Sequence, residues 1–153
     1  MNMLHAITLM ALASASLHAA EPERFVTKVK LPSGQTVVVA EGDFETRSTG
    51  SFSIRLYDAA PPEDETTFFR AGRVLDRDGT VDKVVLSKTI GNQPPEVIVI
   101  VRSTGTGGYL SAHAFTCNLR RLTLRASVSG LPPDADPLAT LWRPKRKGSR
   151  PAG

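Results

Sequence analysis

The side chains that could do covalent or metal chemistry are few in this 153-residue chain. Three histidines occur, but His5 and His18 lie in an apolar N-terminal stretch, which leaves His113 for the body of the protein. Cys117 is the only cysteine. One thiol rules out an internal disulfide, and one Cys with one His rules out a Cys-rich or two-histidine zinc site. His113 and Cys117 stand four residues apart in an apolar, alternating segment. On one face of a strand that spacing is roughly 13 Å, too far for a nucleophile and its base. A lone histidine on a strand is a hydrogen-bonded or half-exposed residue before it is a catalyst. The lone Cys117, ending an apolar run, is expected as a buried free thiol. Paired carboxylates suited to hydrolysis are marked out by no motif, so the chain is read as a non-enzyme.

Two other segments have a chemical reading. Asp76-Arg77-Asp78-Gly79-Thr80-Val81-Asp82 has the form DxDGxxD. Alternate carboxylates ahead of a glycine turn can wrap Ca²⁺, although the bidentate Glu of a full calcium loop is missing; on this alternative the chain is a calcium- or glycan-binding envelope module organised by Asp76, Asp78 and Asp82. The plain alternative is a hairpin turn in which Asp accepts backbone N–H bonds. The second segment is Ser103-Thr104-Gly105-Thr106-Gly107-Gly108-Tyr109. A glycine-rich loop that cradles phosphate must open a helix, usually with Lys-Ser/Thr following. Here Tyr109 and a second apolar run follow, so phosphate is disfavoured. What remains is either a passive hairpin loop or a projecting recognition loop. In the second case Thr106 supplies a donor and an acceptor, Gly107 and Gly108 allow close approach, and Tyr109 supplies a rigid aromatic with a polar tip.

The flanking pattern says what must hold this loop. Val97 to Val101 is an unbroken β-branched run, suited to a strand buried on both faces. Tyr109 to Cys117 is its apolar partner. Around them run further short segments: Phe25–Leu31 and Gln35–Ala40 about a Pro32-Ser33-Gly34 turn, then Ser51–Tyr57. Thr67–Leu75 and Val81–Ile90 follow about Asp76–Gly79, with Leu122–Val128 last. In the last of these, Leu122, Leu124, Ala126 and Val128 alternate with polar residues, which predicts one apolar face. Leu138–Trp142 suits a helical turn or a final strand. No segment sustains a 3.6-residue period and no repeat appears. About eight short strands bounded by Gly, Pro, Asn and Asp predict an all-β antiparallel sandwich. Such a sandwich has edge strands through which two copies could pair as a homodimer.

Composition sets the limits. Met1–Ala20 contains no Asp, Glu, Lys or Arg and ends in Ala-rich sequence, as a secretory signal cleaved after Ala19 or Ala20 would. It is too short and Ala-rich for a membrane span. Residues 21–142 then form one domain and 143–153 a basic tail expected to be disordered. The net charge of +4 comes from 19 basic and 15 acidic residues. Arg143, Lys145, Arg146, Lys147 and Arg150 are in that tail, and without these five the body has 14 basic residues against 15 acidic. Nucleic-acid binding needs basic charge across a folded face, so it is not expected.

At the loop the sequence resembles the periplasmic inhibitors of invertebrate-type (I-type) lysozyme. Members carry Ser-Gly-x-Tyr, and this chain has Thr106-Gly107-Gly108-Tyr109 at that place. PEVIVIVRS before the loop, YLSAHAF after it, Phe25–Glu45, Ser51–Ala59 and Ala126–Pro137 are similar to the family as well. The resemblance implies an exported periplasmic β-sandwich, without cofactor, whose partner is an I-type lysozyme. It implies that the loop enters the lysozyme cleft, with Thr106 in the place of the motif serine, Gly107 at the turn and Tyr109 as the aromatic contact. Thr keeps the hydroxyl and adds a methyl. The tail and Cys117 are not explained by it.

Overall fold

The computed structural model describes residues 23–64, 66–87 and 94–142. The expected leader, most of the Gly91–Pro95 punctuation and the basic tail therefore lie outside the described residues. Eight strands form: β1 (Val26–Lys30), β2 (Thr36–Glu41), β3 (Thr49–Tyr57), β4 (Phe69–Asp78), β5 (Thr80–Leu86), β6 (Glu96–Arg102), β7 (Leu110–Asn118) and β8 (Arg121–Leu131). They make two four-stranded antiparallel sheets, β1-β2-β3-β4 and β5-β6-β7-β8, each in chain order. This is the all-β sandwich that the short, punctuated runs predict.

The alternation of apolar side chains explains the packing. Val37 and Val39 of β2 and Phe52, Ile54 and Leu56 of β3 point inward from the first sheet. Val97, Val99 and Val101 of β6 and Phe115 and Cys117 of β7 meet them from the second. All of these but Cys117 are essentially inaccessible to solvent, and Cys117 is itself buried. The opposite face of β6 is buried too. Ile98 and Ile100, with Ala112 and Ala114 of β7, pack under a short helix, α1 (Pro137–Leu141), through Leu138 and Leu141. The Leu138–Trp142 patch is thus the helical turn rather than a ninth strand. Asp136 caps it, accepting from the backbone N–H of Leu138 at 2.9 Å and Ala139 at 3.2 Å, a cap worth about 1 kcal/mol. Just past its end, Trp142 Nε1 donates to Glu96 Oε2 at 3.2 Å, and Arg125 grips the same carboxylate. The run Val97–Val101 is apolar throughout because the sandwich core lies on one side and this helix on the other.

Two expectations are corrected. Asp76–Gly79 does not turn a hairpin: β4 pairs with β3 in one sheet and β5 with β6 in the other. Gly79, at φ +117°, carries the chain across from sheet to sheet. A local sequence signal for a turn cannot tell a hairpin from a corner between layers. Nor does β8 present one apolar face. A bulge at Arg125, between the pairs Phe115–Leu124 and Ala114–Ala126, reverses the strand. Leu122 and Leu124 join the sandwich core, whereas Ala126 and Val128 pack on the α1 side.

Candidate functional site

The β6–β7 loop, residues 103–109, stands at the end of the sandwich where β2 runs into β3, β4 crosses to β5, and β8 leaves for α1. Its stem is the last rung of the ladder: Ser103 N–H donates to Tyr109 O at 2.9 Å. A tight turn closes the tip, with Gly108 N–H on Gly105 O at 3.1 Å, and Thr106 and Gly107 at its centre. Gly108 follows in the left-handed region at φ +53°. The sequence-predicted residues divide by position. Thr104, Gly105, Thr106 and Tyr109 are exposed, Gly107 and Gly108 half-buried. Ser103 belongs to the stem; its hydroxyl is buried with no hydrogen-bond partner. The hydroxyls presented outward are those of Thr104, Thr106 and Tyr109.

Gly107 shapes the loop by making room. A Cβ there would stand 2.8 Å from Tyr109 Cδ2 and 3.0 Å from Cζ, with Cε2 closer still. The Tyr109 ring therefore folds back over residue 107. Its 55% exposure makes it the aromatic face of the loop. Around Gly105 there is open space, as expected at a tip.

The supports below the loop were not visible as supports in the sequence. Arg102, the last residue of β6, makes three hydrogen bonds to two partners. Its Nε and Nη2 donate to Asp82 Oδ1 and Oδ2 at 3.4 and 3.3 Å, and its Nη1 donates to Gly108 O at 3.3 Å. Asp82 is the bulge residue of β5, unpaired between Val81–Val101 and Lys83–Ile100. Beneath the stem lies Gly79. A Cβ on it would come within 2.6 Å of the Arg102 carbonyl carbon and of Ser103 Cα. Gly79 is anchored in turn by Ser48 O, which accepts its N–H at 2.7 Å, and by Arg77, whose Nη1 donates to Gly79 O. Arg77 is 3% exposed and also donates to the carbonyls of Thr46, Arg47 and Ser51, each at 3.0 Å. Glu41 adds a link between sheets, its Oε1 accepting Val81 N–H at 2.6 Å. A strand-ending Arg and an acidic residue at a bulge are the signals that mark this clamp, but bulges are not legible without the pairing.

The calcium-like segment does other work. Asp82 is the partner of Arg102, Arg77 is buried, and Asp76 and Asp78 are exposed at the end of β4. No group of three potential metal-binding side chains forms among the described residues.

His113 and Cys117 face the space between the sheets. His113 lies at an open cleft of about 620 Å³ with Ser111, Ser127, Asp76 and Asp78. Its Nδ1 is 3.0 Å from Ser127 Oγ, and its ring is tilted on Phe52 at 5.5 Å. Burial lowers its pKa, favouring the neutral ring. Cys117 is a buried free thiol, as expected, and burial pushes its pKa up to about 11, which disfavours the reactive thiolate.

The site is thus an exposed, glycine-shaped loop that carries an aromatic ring and is held at one end of the sandwich. Comparison with known proteins gives the family. The profile of one family, the periplasmic lysozyme inhibitor of I-type lysozyme, matches residues 23–145. Among solved structures, the chain is similar to Aeromonas hydrophila PliI in complex with Meretrix lusoria lysozyme, at 44% identity and a TM-score of 0.74. That match covers 79% of this chain and 98% of the other. It is likewise similar to the structure of PliI-Ah, the inhibitor from Aeromonas hydrophila, at 44% identity and a TM-score of 0.71, over 76% and 98% of the two chains. No curated protein matches. The chain belongs to the family of periplasmic lysozyme inhibitors of I-type lysozyme, a family of inhibitors and not of enzymes.

Proposed function

We propose that this inhibitor of I-type lysozyme acts by placing its Ser103–Tyr109 loop in the substrate cleft of the enzyme. The observation that carries the reading is the Tyr109 ring folded over Gly107 on a loop clamped at both stems. Lysozyme-type catalysis uses two carboxyl groups in a cleft. Thr106 and Tyr109 offer neutral hydroxyls that can satisfy those carboxyls without burying a new charge. A loop already ordered before binding loses little further freedom on insertion. Support comes from the relative crystallised in complex with a lysozyme. The apolar Met1–Ala20 stretch fits the export that the family's periplasmic description requires.

The test is a cell-wall lysis assay with invertebrate-type, chicken-type and goose-type lysozymes. The mature protein is titrated beside Tyr109→Ala and Thr106→Ala. Inhibition of the invertebrate type, weakened in both variants with unchanged circular dichroism spectra, is expected. Full inhibition by both folded variants would overturn the loop assignment.

A further inference from the structure

A seven-residue loop is a small fraction of an interface. A specific complex of standard size engages roughly 20–30 residues on each side. If the 103–109 loop enters a cleft, other parts of the same end of the sandwich must meet the walls around it. The β2–β3 connection, residues 42–48, lies at that end, since Glu41 closes β2 and Thr49 opens β3 there. It is joined to the loop stem through Ser48 O, Gly79 and the Arg102–Ser103 backbone.

At its tip is Phe44, with two unusual properties. It is fully exposed, at 105%. It is also the one non-glycine residue with positive φ among the described residues, at +60°. Left-handed backbone at a residue other than Gly, Asn or Asp is strained and persists only where surroundings impose it. Phe44 gains no burial within the chain to offset that strain.

The surroundings do impose it. Glu45 folds back and accepts from Ser51 N–H at 2.5 Å and Ser51 Oγ at 2.7 Å, while Arg24 donates to Glu45 O. Room for that carboxylate comes from two glycines. A Cβ at Gly42 would stand 2.5 Å from Glu45 Cδ, and one at Gly50 would collide with Glu45 Oε2 and stand 2.9 Å from Arg77 Nη2. Buried Arg77 fixes the Thr46 and Arg47 carbonyls, and Thr46 Oγ1 donates to Thr49 O at 2.6 Å. A connection held this firmly, at some cost in backbone strain, presents an aromatic ring directly to solvent. Rigid exposed aromatics are the residues that anchor interfaces.

We propose that Phe44 is a second anchor for the lysozyme, seating in an apolar hollow on the rim of the same cleft that receives the 103–109 loop. This rests on the proposed inhibitory reading. Arg77 then has a double role: one buried guanidinium sets the position of Phe44 through Thr46 and Arg47 and that of the finger's stem through Gly79.

Phe44→Gly tests it without risk to the fold, because glycine takes φ +60° freely and the substitution removes strain. Phe44→Asn serves as a second variant that tolerates the same backbone. Phe68→Ala, at a 73% exposed aromatic on the β3–β4 connection at the opposite end, is the control for general surface stickiness. Dissociation constants for an I-type lysozyme are read by surface plasmon resonance, with Tyr109→Ala alongside. The expected result is a melting temperature at or above wild type for Phe44→Gly and at least a tenfold weaker Kd for both Phe44 variants. The rise should come mainly in the dissociation rate, with Phe68→Ala unchanged. If wild type binds, Tyr109→Ala weakens it and the Phe44 variants bind within twofold of wild type, the second anchor is refuted and the inhibitory loop stands. Failure of wild type to bind any I-type lysozyme would overturn the inhibitory reading and this inference with it.

Discussion

Gly107→Ala isolates the geometry of the loop from its chemistry. The substitution adds one methyl and removes no hydrogen-bonding group. That methyl would lie 2.8 Å from Tyr109 Cδ2 and nearer still to Cε2, where carbon atoms in contact sit at about 3.5–4.0 Å. The ring must therefore retreat by roughly 1 Å or swing away. It can do so, because Tyr109 is more than half exposed and its ring is the far end of a side chain rather than backbone. Position 107 does not have the positive φ that would forbid alanine. Folding stability should change by less than about 1 kcal/mol, the lost contact partly offset by the reduced freedom of the unfolded chain. Binding is another matter. Displacing an aromatic anchor of this kind costs about 2 kcal/mol, roughly a thirtyfold rise in Kd. The pair of measurements is a denaturant titration and a binding isotherm with an I-type lysozyme. Unchanged stability with a large loss of affinity supports a role for Tyr109 that depends on where its ring stands. Affinity within threefold of wild type would refute it.

Other perturbations probe the supports and the buried groups. Arg102→Ala releases both Asp82 and Gly108 O, whereas Asp82→Asn removes only a half-exposed ion pair worth up to about 1 kcal/mol. Inhibition should fall more in Arg102→Ala, and equal loss in the two would show that the Gly108 contact adds nothing. Arg77→Met strands the carbonyls of Thr46, Arg47, Ser51 and Gly79 and should cost about 3 kcal/mol or more in a urea melt; a loss below about 1 kcal/mol would contradict its place as the hub. His113 has its pKa lowered by burial, so the folded state takes up its proton only at lower pH than the unfolded chain. Its effect on stability is absent above the unfolded value of about 6.5, and stability declines as pH falls from there toward the folded pKa. That step should vanish in His113→Asn, and a persisting step would assign it to other groups. Cys117 should resist thiol reagents at pH 8 until the protein is unfolded, given its burial and raised pKa; rapid labelling of the native protein would disprove it.

Much of this protein is written locally. Val97 to Val101 announced a strand covered on both sides, and the small, hydroxylated residues 103–109 between two apolar runs announced a loop worth watching. Short-range pattern sufficed there, because strand alternation and turn chemistry depend on near neighbours in the chain. The layering did not follow from pattern. DRDG has the composition of a hairpin turn but carries the chain between sheets, since what decides is whether β5 pairs with β4 or with β6. The Arg125 bulge turned the second half of β8 over, a change invisible in an alternating sequence. Asp82 carried a calcium-like spacing, yet tertiary packing set Arg102 beside it and made it a brace for the loop. Phe44 illustrates the limit most plainly: in the sequence it is an ordinary phenylalanine after Gly42-Asp43. Only the buried Arg77 and the folded-back Glu45, 31 and six residues from the segments they bind, decide that it stands outward in left-handed backbone. Sequence determined which elements form and which loop is unusual, because those depend on neighbours. Which charges meet and which ring faces the solvent depend on contacts between distant segments, and only the folded chain settles them.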